Sequence, residues 1–208
     1  HVLDVVSEAA KNPEEYKYSL GDTKELLSAV EGWYQNRYGV TLQDDEILSL
    51  AGSQEGFAHV ALTLCDPGDV VLVPNPGYPV FEAGPFLNDA KIAYYELDKT
   101  NHYAPALDKI PEELAQKAKM MVVSYPLNPT CTCIEKADYE KIIAFAKKYN
   151  IAIIHDNAYS EIEYDGRTGF SFLSVPGAKE VGIEFNSLSK TDNLTGIRMS
   201  LALGNKEL

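Results

Sequence analysis

The sequence predicts an α/β protein in which helices cover both faces of a mostly parallel sheet. Two observations indicate this class. Short apolar runs alternate along the chain with segments of helical periodicity. Several of these runs are almost continuously apolar, which is typical of strands buried on both faces. Strands that alternate with helices in this way form parallel sheets between two helical layers.

The helices are predicted from apolar residues that recur at spacings of three and four. In the clearest case Tyr139, Ile142, Ile143 and Ala146 fall on one face. Another helical pattern ends at Gly39, a residue type that commonly follows a helix. We expect helices at about Thr23–Tyr38, Gln54–Cys65 and Lys136–Tyr149.

Seven apolar runs are predicted to be strands. They are Ile47–Ala51, Val70–Val73, Ile92–Tyr95, Met120–Tyr125, Ile151–His155, Gly182–Phe185 and Met199–Leu203. Ligands of parallel α/β sheets bind at the carboxyl ends of the strands. The segments expected at one common site are therefore Gly52–Gln54, Asn75–Tyr78, Pro126–Thr130, Asp156–Tyr159 and Ser187–Lys190.

Composition excludes several classes of function. The chain has 208 residues, enough for one large or two small domains, and its formal charge of −13 argues against a nucleic-acid surface. No apolar run approaches the ~20 residues that span a membrane. Three cysteines without framework spacing favour a reducing, cytoplasmic location. Cys131 and Cys133 are expected to be small, partly buried thiols, and no metal site is predicted.

The segment Gly52–Gln54 follows a predicted strand and begins a predicted helix, which favours an anion site. Backbone amides, the helix dipole and the Ser53 hydroxyl would all contribute, although Ser53 alone could be only a helix cap. Ser187, Ser189 and Arg198 add donors suited to a phosphate group.

The remaining polar residues at the strand ends suggest covalent chemistry on an aromatic ring. Asp156 ends a buried strand, and a buried carboxylate needs a partner such as a protonated ring nitrogen. Tyr78 and Tyr159 offer aromatic faces and hydroxyls. Lys190, in a partly desolvated and cation-rich place, would be a usable amine nucleophile. Together with a phosphate site, these groups describe a site for pyridoxal 5'-phosphate.

Five motifs, in order along nearly the whole chain, carry a family resemblance. They are AGSQEG, VPNPGYPVF, YPLNPT, HDNAYSEI and SLSKTDNLTGIR. The chain resembles the large domain of fold type I pyridoxal-phosphate-dependent aminotransferases of class I/II, and VPGAKEVGIEFNSLSKTDNLTG is particularly similar to LL-diaminopimelate aminotransferases. The resemblance implies a three-layer α/β/α domain with a mostly parallel, seven-stranded mixed sheet.

The resemblance also implies a role for each matching residue. Lys190 would bond to the cofactor aldehyde and then move a proton, Asp156 would pair with the ring nitrogen, and Tyr159 would bind the ring oxygen with Asn128. Tyr78 would stack on the ring. The phosphate would be held by Ser53, Gln54, Ser187, Ser189 and Arg198, together with Tyr16 from the other subunit of a homodimer.

By the same resemblance, residues 1–208 correspond to the cofactor-binding large domain, without the N-terminal arm and the small domain that supplies the arginine for the substrate carboxylate. The expected partners are an amino acid and a 2-oxo acid. The sequence departs from the family at Cys131, where glycine is usual, and at Asp192, where an aromatic residue is common. The Asp192 carboxylate would alter the site's field or simply face solvent.

Three alternatives remain open at this point. The first is a carbon–sulfur lyase, which would use the same lysine on the same scaffold. The second is a cofactor-binding module without transaminase activity. The third is a metal hydrolase built on His155, Asp156 and Glu161 or Glu163, which is disfavoured because neighbouring residues of a strand point to opposite faces.

Overall fold

The computed structural model describes residues 1–208, which form a seven-stranded sheet between two helical layers. The strands are β1 (Ile47–Leu50), β2 (Val70–Asn75), β3 (Lys91–Glu96), β4 (Ala118–Ser124), β5 (Ala152–Asn157), β6 (Gly182–Ser187) and β7 (Ser200–Gly204). Their order in the sheet is β1-β7-β6-β5-β4-β2-β3. The mixed seven-stranded sheet and its flanking helices confirm the predicted fold class.

The two helical layers follow from the alternation of side chains along the central strands. Leu72 and Met121 pack into one core with the helices at Lys24–Tyr38 and Lys136–Tyr149, whereas Val71 and Met120 pack into a second core with the helix at Ser53–Leu64. The helices are α1 (Val2–Ala9), α2 (Lys24–Tyr38), α3 (Ser53–Leu64), α4 (Ala83–Leu87), α5 (Glu112–Lys117), α6 (Lys136–Tyr149), α7 (Ala178–Val181) and α8 (Leu188–Thr191).

Strand direction brings the ends of six strands and the start of the seventh to one edge. The five strands from β6 to β3 run parallel. β7 is antiparallel to both β6 and β1, so β1 points the same way as β6. As a result Arg198, which precedes β7, lies at the same edge as Ser187, which ends β6.

The predicted strands and long helices all form, with small shifts at their ends. α6 has its predicted bounds, and α2 begins after Thr23, whose side chain accepts a hydrogen bond from the amide of Leu26 at 3.2 Å. Five short helices, α1, α4, α5, α7 and α8, were not predicted, and α1 contributes no buried residue. No helix of the structure is both long enough and apolar enough to cross a membrane.

Candidate active site

A cavity of roughly 450 Å³ opens at the carboxyl edge of the sheet. Its size lies in the range usual for small-molecule sites, ~300–1,000 Å³. Ten of the eleven residues predicted for the site line it; they are Ser53, Gln54, Tyr78, Asn128, Asp156, Tyr159, Ser187, Ser189, Lys190 and Arg198. The lining is completed by four residues that were not predicted, Phe57, Val80, Ala158 and Thr195. Phe57 follows Ser53 by one helical turn on α3, and that spacing was a usable signal.

Arg198 is fixed at one end of the cavity by backbone oxygens. Its guanidinium donates to the carbonyls of Thr195 at 3.0 Å and Ala51 at 3.2 Å. Gly52, at φ +94°, permits this approach, because a Cβ there would lie 1.9 Å from Arg198 Nη2. The guanidinium therefore has a defined position, and it remains exposed to the cavity.

The hydroxyls near Arg198 come from the turn after β6. Ser187 is buried, and its Oγ accepts from the amide of Ser189 at 3.2 Å. Across the cavity α3 begins at Ser53, and the residue that caps it is Gly52, so Ser53 is not the helix cap. No side chain caps α3, which leaves its positive end to favour an anion.

Asp156 is the buried acid of the site. It is 7% exposed; Oδ2 lies 3.4 Å from the Ser124 hydroxyl, and Oδ1 has no hydrogen-bond partner. Burial raises the pKa of Asp156 to about 6, although the charge of His155 and the Ser124 hydroxyl oppose this rise. An unpaired carboxylate oxygen at a cavity wall is a strong site for a positively charged donor.

Two tyrosines and an asparagine line the cavity beside Asp156. Tyr78 is half-buried, and its hydroxyl accepts from Gln54 Nε2 at 2.9 Å. Burial raises the pKa of Tyr159, and the charge of Asp156 adds to this effect, so the Tyr159 hydroxyl keeps its proton at neutral pH. Asn128 lies in the same wall of the cavity.

Lys190 lines the cavity from α8, but its surroundings differ from the expectation. The residue is exposed rather than partly desolvated. It lies on the one-turn helix α8, which has no buried residue.

Tyr16 does not line the cavity. Its side chain is 74% exposed, and its hydroxyl donates to the carbonyl of Ala10 at 2.6 Å. This local contact holds the tyrosine within the N-terminal segment. The prediction that Tyr16 reaches the phosphate of a partner subunit is not tested by a single chain and stays a prediction.

Two of the segments predicted to meet at the strand ends contribute only one residue each to the cavity. The amide of Asn75 donates to Glu96 at 2.9 Å and 3.0 Å, because these residues are paired between β2 and β3. Thr130 turns toward Thr132, with 2.9 Å between the hydroxyls. Only Tyr78 and Asn128 of these two segments line the cavity, so the expectation was wrong for Asn75 and Thr130.

The two departures from the family pattern lie outside the cavity. Asp192 is exposed, which favours the solvent-facing interpretation. Cys131 is also exposed, at φ +58°, so the expectation of a partly buried thiol was wrong for it. It lies in a tight turn that its own amide closes on the Leu127 carbonyl at 2.7 Å. Cys133 is half-buried, as expected.

His155 and Asp156 point to opposite faces of β5. His155 contacts Tyr139 at 2.8 Å and Glu184 at 3.1 Å behind the sheet, whereas Asp156 lines the cavity. They cannot share one ion in this arrangement, so the structure does not support the metal-hydrolase alternative.

The donor set fits pyridoxal phosphate. A phosphate needs fixed cations and hydroxyls, which Arg198, Ser187 and the start of α3 provide. A protonated ring nitrogen needs a buried carboxylate, and the free Oδ1 of Asp156 meets that need. The cavity also contains a primary amine, on Lys190.

Comparison with known proteins identifies the family of the chain. The family model "Aminotransferase class I and II" matches residues 1–208. The chain belongs to the class I and II aminotransferases. Among its relatives, LL-diaminopimelate aminotransferase of Moorella thermoacetica is 43% identical over 210 residues, and that of Aquifex aeolicus is 44% identical over 209. In both cases the match covers 100% of this chain and 54% of the relative, so the chain spans about half the length of these aminotransferases.

Solved structures of other bacterial proteins share the fold. Substrate-bound BacF from Bacillus subtilis superimposes with a TM-score of 0.96 at 38% identity, covering 100% of this chain and 53% of that protein. A probable N-succinyldiaminopimelate aminotransferase from Thermus thermophilus gives 0.93 at 36% identity, covering 99% and 55%. The fold of residues 1–208 is therefore that of an aminotransferase over the matched half.

Proposed function

We propose that this chain is the cofactor-binding part of an aminotransferase that uses pyridoxal phosphate to move an amino group from an amino acid to a 2-oxo acid. The observation that carries the proposal is the unpaired Oδ1 of buried Asp156 in the same cavity as Lys190 and Arg198. These groups suit the three distinct parts of the cofactor: ring nitrogen, aldehyde and phosphate. We assign residues 1–208 to the large domain.

Different residues of the chain would bind different parts of the cofactor. Arg198, Ser187, Ser189, Ser53 and Gln54 would bind the phosphate and thereby fix the cofactor. The Asp156 carboxylate would accept a hydrogen bond from the protonated ring nitrogen. Holding reacting groups in place in this way can lower a barrier by roughly 7–11 kcal/mol.

Lys190 would carry the chemistry at the aldehyde end. When bound, pyridoxal phosphate supplies an electron-withdrawing ring that stabilises negative charge at the substrate α-carbon. The Lys190 amine would hold the cofactor covalently and later move a proton from the α-carbon. Tyr159 and Asn128 would donate hydrogen bonds to the ring oxygen, and Tyr78 would contact the ring face.

The substrates are proposed from the names of the relatives. LL-diaminopimelate is the first candidate for the amino donor, because relatives more than 40% identical are named for it. Aspartate and aromatic amino acids are the next candidates. We also propose a homodimer in which Tyr16 of each chain reaches the phosphate of the other. The cytoplasmic location stays a prediction.

The proposal is tested by loading the purified chain with pyridoxal phosphate and adding each candidate amino acid with a 2-oxo acid. Transfer of the amino group, measured by product analysis, would support it, and Lys190→Ala should abolish the transfer. Release of ammonia without an amino acceptor would instead indicate a carbon–sulfur lyase. Cofactor binding without either product, both in this chain and in a longer protein that contains it, would indicate a binding module.

A further inference from the structure

Behind the cavity, on the other face of the sheet, lies a buried pair of titratable residues that the proposed chemistry does not use. His155 of β5 and Glu184 of β6 are both 0% exposed. They are direct neighbours in the β5–β6 register, and His155 Nδ1 lies 3.1 Å from Glu184 Oε2. Charged groups this deeply buried are costly unless they are compensated.

Glu184 has the surroundings of an ionised carboxylate. It accepts from the Tyr34 hydroxyl at 2.9 Å, the Ser171 hydroxyl at 2.8 Å and the Phe172 amide at 2.8 Å, in addition to His155. Burial alone would raise the pKa of Glu184, but the hydrogen bond and charge of His155, together with smaller effects such as the Ser171 hydrogen bond, outweigh it, so this pKa lies below its ordinary value. Of these four partners only His155 can carry a positive charge.

The other side of the His155 ring can accommodate a second proton. Nε2 lies 2.8 Å from the Tyr139 hydroxyl, an oxygen that can accept a hydrogen bond. The ring also stacks on Phe172, with 5.4 Å between centroids, so its orientation is fixed. Both ring nitrogens therefore have an acceptor within hydrogen-bond distance.

His155 directly precedes the acid of the site. Asp156 points into the cavity from the next position of β5, and its only hydrogen-bond partner is the distant Ser124 hydroxyl. A positive charge on His155 favours the ionised form of Asp156, whereas the charge on Glu184 disfavours it. The charges of His155 and Glu184 therefore have opposite effects on the ionisation of Asp156.

We propose that His155 is a positively charged positioning residue, held by Glu184 and Tyr139, that keeps Asp156 ionised. This inference rests on the proposed function, in which Asp156 binds a protonated ring nitrogen. The titratable groups that surround the pair, directly or through one side chain, are Asp156, Tyr34, Tyr38, Tyr139, Tyr125, Cys133 and Glu163.

The test uses His155→Gln, which can still donate to Glu184 and accept from Tyr139 but carries no charge. The affinity for pyridoxal phosphate is measured from about pH 5 to pH 8, the range in which histidine changes its charge. Removing a nearby positive charge makes Asp156 bind its proton more tightly. We therefore expect the loss of affinity on acidification to begin at a higher pH in His155→Gln than in the wild type.

Tyr34→Phe is the matched control. It removes one donor from Glu184 and leaves His155 in place. It should lower the stability of the chain without moving the pH midpoint of cofactor binding. An unshifted midpoint in His155→Gln would overturn the proposal, because a residue needed only for packing would lower stability and leave the pH profile alone.

A second measurement decides the matter if His155→Gln fails to fold. Nitrogen-15 NMR of the wild-type chain reports whether the His155 ring carries one proton or two. Its signals are assigned by substituting the three other histidines, His1, His59 and His102, which are exposed. We expect two protonated nitrogens at neutral pH, and a neutral ring would overturn the proposal. Wild-type chain that does not bind pyridoxal phosphate would contradict the proposed function and leave this NMR result standing.

Discussion

The features of Asp156 that suit it to ligand binding destabilise the chain when no ligand is bound. Its carboxyl is buried, Oδ1 is unpaired, and burial raises its pKa to about 6. The folded chain therefore binds the Asp156 proton more tightly than the unfolded chain does. For such an acid, stability is lost as the pH rises from about 4 toward 6.

We expect Asp156→Asn to stabilise the chain in the absence of cofactor. A pKa difference of roughly two units corresponds to at most about 3 kcal/mol in the free energy of unfolding at pH 7. The gain should vanish below about pH 4, where the wild-type carboxyl is protonated in both states. Urea unfolding at both pH values measures it. A variant less stable than the wild type at pH 7 would contradict this account of Asp156.

Glu184→Gln is a control that should change the free energy of unfolding at neutral pH in the opposite direction. The pKa of Glu184 is held below its ordinary value by His155 despite burial, so its stabilisation is present at neutral pH. That stabilisation is lost as the pH falls through the folded-state pKa. Breaking this buried pair should cost roughly 3–5 kcal/mol at pH 7.

The sequence could have indicated the His155–Glu184 pair, but the sequence analysis did not single it out. Both residues interrupt apolar runs, in AIIHDN and GIEFN, and a polar residue inside a buried strand requires a partner. Their pairing depends on the β5–β6 register, which those runs do not specify. Asp156, by contrast, was predictable because it directly follows a predicted strand, and ligands of parallel α/β sheets bind at the carboxyl ends of the strands.

The start of α3 and the start of β7 form one structural unit through Gly52 and Arg198. The Arg198 guanidinium occupies the space that a Cβ at Gly52 would need, and it bonds to the Ala51 carbonyl. β1 and β7 are adjacent antiparallel strands, which brings these two segments together. The order of the motifs in the sequence does not reveal that adjacency.

We expect Gly52→Ala to weaken the binding of pyridoxal phosphate by displacing Arg198. A hydrogen bond to a charged group contributes ~1.5–3 kcal/mol, which corresponds to roughly a 10- to 100-fold loss of affinity. Pyridoxal, which lacks the phosphate, should bind the wild type and Gly52→Ala with equal affinity. Gly196→Ala is the control, because a Cβ at Gly196 would meet nothing within 4 Å. Equal losses for the two ligands would contradict the assignment of Arg198 to the phosphate.

At the level of secondary structure, the sequence predicted most of what the structure contains. α6 has its predicted bounds, since its apolar face and the left-handed Asn150 after it are local features. α1 was not predicted, although Val2, Val5 and Val6 recur at helical spacing, and none of its residues is buried. The exposure of Lys190 was not predictable, because it depends on what covers α8 in three dimensions.

For the whole molecule, we expect two chains to share each site. A chain carrying Lys190→Ala and a chain carrying Tyr16→Phe would each form defective dimers. After mixing and exchange of subunits, some dimers would contain one site with both Lys190 and Tyr16 intact. The fraction of tightly bound pyridoxal phosphate should therefore rise above the average of the separate variants. No rise, with subunit exchange verified, would contradict the shared site.

The account as a whole depends on Lys190 being the residue that bonds to pyridoxal phosphate. The most direct measurement is to mix the purified chain with the cofactor, reduce the mixture with borohydride and locate the modified peptide by mass spectrometry. We predict a single pyridoxyl group on Lys190. Lys206, which is paired with Asp45 away from the cavity, serves as an internal comparison and should remain unmodified. No adduct, or a scatter of adducts over the surface lysines, would contradict the assignment of this cavity.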